Sequence, residues 1–132
     1  MTIKTLTAIA LCTVSFMASA QTMNKAEYDA AKDRIEMNYK NAKKSCDTMK
    51  SNAKDVCQEE AKGTEKVEKA ELENKYKANP ENARKVEVVK ADSTYAVAKE
   101  KCEDQKGDAQ KVCKADAKAV HERAIDAAKG KS

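Results

Sequence analysis

The chain has 132 residues, about the size of one domain, and 36% of them are Asp, Glu, Lys or Arg. Its 41% apolar fraction rests on alanine, with one Phe and no Trp, while three glycines and one proline leave little punctuation. These proportions exclude a multidomain enzyme, a collagen-like chain and a large β-sandwich, and 26 basic against 22 acidic residues leave a formal charge of only +4.

Residues 1–20 read as an export leader. Lys4 and the amino terminus carry positive charge, and Leu6 to Met17 form an apolar stretch short for a bilayer span. Ala18-Ser19-Ala20 then supplies the small-x-small pattern that signal peptidase needs. Cleavage between Ala20 and Gln21 leaves 112 residues with a charge of +3, exported to the periplasm and without a membrane span. Cys12 leaves with the leader, and Leu11 before it is too large for a lipoprotein site.

The remainder is dominated by Ala, Lys and Glu, all good helix formers. Tyr28, Ile35, Ala42 and Met49 recur every seven residues, with Tyr39 and Cys46 between them, a stripe on one helical face. From Ala53 to Ala78 the pattern is looser: Cys57, Ala61, Val67, Leu72 and Tyr76. Val88, Ala91, Tyr95, Ala98 and Cys102 restore steps of three and four, as do Cys113, Ala117, Val120 and Ala124. Asn79-Pro80-Glu81 is a helix restart, with Asn as cap, Pro in the first turn and Glu at the positive helix end. Gly107-Asp108 reads as a stop followed by a new cap, with Ser51-Asn52 in the corresponding earlier place. Four helices are therefore predicted, roughly 23–50, 53–78, 80–106 and 109–129.

The chain repeats itself at an offset of 56. Tyr39, Ala42, Lys43, Cys46, Lys50, Ala53, Val56, Cys57, Ala61 and Lys62 reappear as Tyr95, Ala98, Lys99, Cys102, Lys106, Ala109, Val112, Cys113, Ala117 and Lys118. Tyr and both Cys keep register, which lysine and alanine bias does not explain. Each copy is a helical hairpin built around a break, giving one repeat over 21–79 and a second over 80–132.

Four cysteines follow the leader, as Cys46/Cys57 and Cys102/Cys113, each C-x10-C. On an unbroken helix eleven residues rise by ~16.5 Å, beyond the ~7 Å between Cα atoms that a disulfide tolerates. A break centred between residues 51 and 52, or between 107 and 108, puts each pair opposite one another on antiparallel helices. The spacing predicts Cys46–Cys57 and Cys102–Cys113 bridges, in keeping with an oxidising compartment. They matter because the exported chain holds only 18 Val, Ile, Leu, Met and Tyr residues, and so thin a core needs staples or partners.

No catalytic residues, cofactor or metal site is predicted. Metal binding calls for closer thiolates, as in C-x2-C, and His121, between Val120 and Glu122, reads as a solvated helix residue. There is no phosphate-binding glycine loop and no nucleophile–histidine arrangement. Glu65–Lys69, Glu71–Lys75 and Glu81–Lys85 are spaced for surface ion pairs along a helix. Without a basic stripe or an aromatic series, nucleic acid is not an expected partner.

The segments Lys44-Ser45-Cys46 and Asn52-Ala53-Lys54-Asp55-Val56-Cys57, then Glu59-Glu60-Ala61-Lys62, carry a family resemblance. The second copy carries it in Tyr95 through Cys102 and in Val112-Cys113-Lys114. The chain resembles a group of small exported bacterial proteins, rich in alanine and lysine, some labelled "cell envelope biogenesis protein TolA". That label matches the Lys/Ala/Glu-rich helical stalk of TolA, whose membrane anchor and folded C-terminal domain are not expected here. The resemblance implies periplasmic export and a duplicated hairpin, and brings no activity or site.

The expectation is thus an all-α chain of two disulfide-stapled antiparallel hairpins. They pack as a four-helix bundle, stay apart about Asn79-Pro80, or complete the core as a homodimer; periodicity fits all three. The leading function is a non-enzymatic structural or interaction factor of the cell envelope with a protein partner there. The alternatives are a chaperone-like stress-protective protein, and a metal or redox buffer using the four cysteines.

Overall fold

A computed structural model describes residues 23–130. The predicted export leader and the predicted Ala20–Gln21 cleavage position lie outside them. The described residues form four α-helices, α1 (Lys25–Cys46), α2 (Ser51–Tyr76), α3 (Pro80–Cys102) and α4 (Gly107–Lys129), and no strand. The fold is all-α.

Helix starts follow local chemistry. At α1, Asn24 Oδ1 accepts from the Glu27 amide at 2.9 Å, while Glu27 Oε2 accepts from the Asn24 amide at 2.9 Å. This reciprocal capping box satisfies two amides that have no partner within the helix. At α3, Asn79 Oδ1 accepts from the Asn82 amide at 2.7 Å and Pro80 opens the helix, as its sequence predicts. The starts of α2 and α4 differ from expectation. Their N-caps are Lys50 and Lys106, neither making a side-chain cap bond, and Asp108 instead pairs with Lys111 at 3.1 Å.

Helices α1 and α3 end at Cys46 and Cys102, four residues short of the predicted ends. The reversals occupy residues 47–50 and 103–106, and the next residue of each copy, Ser51 and Gly107, is left-handed with φ of 52° and 63°. Pairing across each hairpin nevertheless stays centred where the C-x10-C spacing puts it. The break therefore precedes the centre of pairing, and the first turn of the returning helix extends past the end of the outgoing one.

Each helix packs only on its neighbours in the chain: α1 on α2, α2 on α3, α3 on α4. The hairpins do pack together, through the α2–α3 seam, which is the most extensive of the three. Because α1 and α4 do not meet among the described residues, the bundle is an open antiparallel row rather than a closed square. Asn52 Nδ2 donates to the Glu100 carbonyl at 2.9 Å, joining the start of α2 to the end of α3. Both disulfide turns consequently lie at one pole of the row. The 77–79 linker and the outer ends of α1 and α4 lie at the other.

The core is as thin as the composition implies. Buried apolar residues are Ile35, Ala61, Ala70, Leu72, Val86, Ala91, Ala128 and the half-cystines Cys46 and Cys102, these two only 1% exposed. At the seam Gly63 brings α2 close to α3: an added Cβ would lie 3.0 Å from Ser93 Cβ. Lys90–Glu71 at 2.7 Å and Lys101–Glu60 at 3.0 Å flank this approach. The predicted Glu71–Lys75 and Glu81–Lys85 pairs are thus not the ones formed. Glu71 reaches across the seam, whereas Glu65–Lys69 forms as spaced, at 2.7 Å.

Candidate functional site

The two staples bury one half-cystine each, Cys46 and Cys102, beneath the turns they close. Cys46 and Cys57 are disulfide-bonded with Cα atoms 5.5 Å apart, and Cys102 and Cys113 likewise at 5.7 Å. These distances lie within the range that a disulfide adopts readily. Disulfides of this kind belong to an oxidising, extracytoplasmic compartment.

Each staple is followed by an acid that binds two positions of the returning helix. Asp47 Oδ1 lies 3.0 Å from Lys54 Nζ and accepts from Gln58 Nε2 at 3.4 Å. Fifty-six residues later, Glu103 accepts from Gln110 Nε2 at 2.7 Å and lies 2.6 Å from Lys114 Nζ. The first copy carries Lys then Gln, the second Gln then Lys. The clamp survives with its donors exchanged, so a search for identities misses it. The hydrogen bond and charge of Lys54 hold the Asp47 carboxyl below its ordinary range.

Aromatic contacts separate the copies. In the first hairpin Tyr28 packs on Tyr76, ring centroids 4.5 Å apart, and its Oη donates to Glu73 Oε2 at 2.8 Å. That hydrogen bond raises the Tyr28 hydroxyl above its usual range, with burial second. In the second, His121 is not a solvated helix residue. Its ring stacks on Tyr95 with centroids 4.7 Å apart, and its Nε2 lies 2.6 Å from Asp92 Oδ1. The equivalent trio in the first copy is Tyr39, Glu65 and Glu36. There Lys69 joins the two acids, at 2.7 Å from Glu65 and 3.6 Å from Glu36. Between the copies Glu36, Glu65 and Lys69 become Asp92, His121 and Ile125, so a lysine-bridged pair of acids gives way to a histidine–aspartate contact.

Two grooves run along one face of the row. One, of about 650 Å³, lies between α2 and α3, with Gly63, Val67 and Val97 in its lining. The other, of about 440 Å³, lies between α3 and α4, with Tyr95, Val120 and Ala124. Both are lined by Lys90, Thr94 and Ala98 of α3, so they meet along that helix. The opposite face holds a cavity of about 410 Å³ between α1, α2 and α3, into whose lining four lysines come from three helices. Sequence spacing gave no sign of that gathering, because each lysine sits in an ordinary mixed-charge segment.

Among the described residues no group of three His, Cys, Asp or Glu side chains is placed to hold a metal ion. No described helix is long and apolar enough to cross a membrane. Comparison of the chain with protein-family models, with curated proteins and with solved structures finds no match.

Proposed function

We propose that this is a non-enzymatic periplasmic helical protein that acts through its surface as a structural or interaction factor of the cell envelope. The observation that carries the reading is the joined groove on the α2–α3–α4 face. Small and β-branched residues contribute to its lining, the exposed Val120 among them. A closed four-helix bundle turns such residues inward, whereas an open row leaves them available to another surface. The disulfides and the leader-like residues 1–20 support a periplasmic address.

The test combines a chromosomal deletion with a photo-crosslinking residue at Val120, in the groove, or at Lys40, exposed on α1. Expected are detergent sensitivity of the deletion strain and a discrete crosslinked adduct from position 120 that position 40 does not give. An intact detergent barrier together with no adduct from position 120 would end this reading.

A further inference from the structure

We propose that the cavity between α1, α2 and α3 is a binding site for a polyvalent phosphate group. Lys32 from α1, Lys66 and Lys69 from α2, and Lys85 from α3 all line it. Glu73 is the only carboxylate in the lining, and its Oε2 already accepts from Tyr28 Oη at 2.8 Å. Lys69 is paired with Glu65 at 2.7 Å. Lys32, Lys66 and Lys85 have no carboxylate within ion-pair distance among the described residues.

Three helices therefore bring lysine side chains without ion-pair partners to the lining of one concavity, which concentrates positive charge around any anion bound there. The number of charges gathered there selects the anion. Ammonium groups are compact point charges that bind phosphate without the planar fork by which arginine matches carboxylate and phosphate alike. They suit a tetrahedral group whose charge, about −1.5 to −2 for a phosphomonoester at neutral pH, is spread over several oxygens. The cavity, at about 410 Å³, exceeds the needs of one phosphate, and Ala70 and Val89 make part of its wall apolar. A diphosphate, or a phosphate carried on an organic group, fits both features. This site lies on the face opposite the joined groove and does not depend on the groove having a partner.

The test titrates the oxidised protein with inorganic pyrophosphate and, separately, with phosphatidic acid vesicles, followed by amide NMR and by sedimentation with the vesicles. Two variants accompany it. Lys32→Gln/Lys66→Gln/Lys85→Gln empties the cavity of free cations, and Lys40→Gln/Lys43→Gln/Lys44→Gln removes equal charge from exposed positions of α1. All six lysines are exposed, so both variants keep their helicity, which circular dichroism verifies.

Saturable binding with shifts centred on residues 32, 66, 69 and 85, weakened at least tenfold in the cavity variant and less than twofold in the α1 variant, is the expected result. Binding of pyrophosphate assigns a free phosphate ligand, and binding of vesicles alone assigns a lipid headgroup. Equal weakening in both variants, or binding of neither probe, overturns the proposal.

Discussion

Ser51 and Gly107 occupy the same position in the two copies of the hairpin, and both are left-handed, with φ of 52° and 63°. Glycine takes this conformation freely, whereas a residue with a Cβ is strained by ~1–2 kcal/mol. The second copy has therefore the unstrained version of a turn that the first copy makes under strain.

Replacing Ser51 by Gly is expected to stabilise the protein by ~0.5–1 kcal/mol, strain relief being partly offset by the greater freedom of glycine in the unfolded chain. Nothing lies within 4 Å of a Cβ added at Gly107, so Gly107→Ser isolates the conformational cost and is expected to destabilise by a similar amount. Thermal melts should move by a few degrees in opposite directions. Movement in the same direction would show that the turn is not what limits stability.

The seam makes the opposite use of glycine. Gly63 meets Ser93 across it, while its counterpart in the second copy, Ala119, is exposed on α4. Gly63→Leu forces α2 away from α3 and is expected to cost ~1–3 kcal/mol, as overpacking does. Ala119→Leu, at the matching position with no neighbour to displace, should stay within ~0.5 kcal/mol. Denaturant midpoints of the two variants give the comparison directly.

The staples are expected to stabilise by about 2–3 kcal/mol each, from the short loops they close. Each outer helix touches one neighbour only, so reduction should release α1 and α4 ahead of the α2–α3 pair. Hydrogen exchange after reduction should lose protection over 25–46 and 107–129 before 58–101. Simultaneous loss along the whole chain would mean that the seam has no stability of its own.

Asp47 contributes to the acid limit of stability and Tyr28 to the alkaline one, beside Lys25, Lys62, Lys69 and Lys90, which are also raised by their paired carboxylates. Asp47 has its folded value lowered by Lys54, so its contribution is present above the unfolded carboxyl value and is lost as pH falls through the lowered one. Tyr28 is raised by its bond to Glu73, so its contribution is present below the unfolded phenol value and is lost as pH rises through the raised one. Melting temperatures of Asp47→Asn should fall less steeply below pH 4 than those of the parent. Those of Tyr28→Phe should fall less steeply above pH 10.

The helices, the Asn79-Pro80 restart and both cysteine pairings were legible because each depends on neighbours in sequence or on a spacing that only one geometry satisfies. Helix α2 looked irregular because three of the four residues it buries, Ala61, Gly63 and Ala70, are too small to mark an apolar stripe, and only Leu72 does so. Glu71 chose Lys90 over Lys75 once α3 lay beside it, and His121 found Tyr95 and Asp92 for the same reason. The exchange of Lys and Gln between the two acid clamps hid an equivalence from a comparison of letters. The lysine cavity belongs to no segment at all: it exists only when three helices stand side by side.

The two poles of the row have a mechanical consequence. Lys25 and Lys129 lie at the pole opposite the staples, on the outermost helices. Tension applied through the start of α1 peels that helix only as far as Cys46, where the load passes through sulfur to Cys57. Tension through the end of α4 is diverted in the same way from Cys113 to Cys102. Neither turn carries the force, and the central pair is gripped from both sides at a single pole.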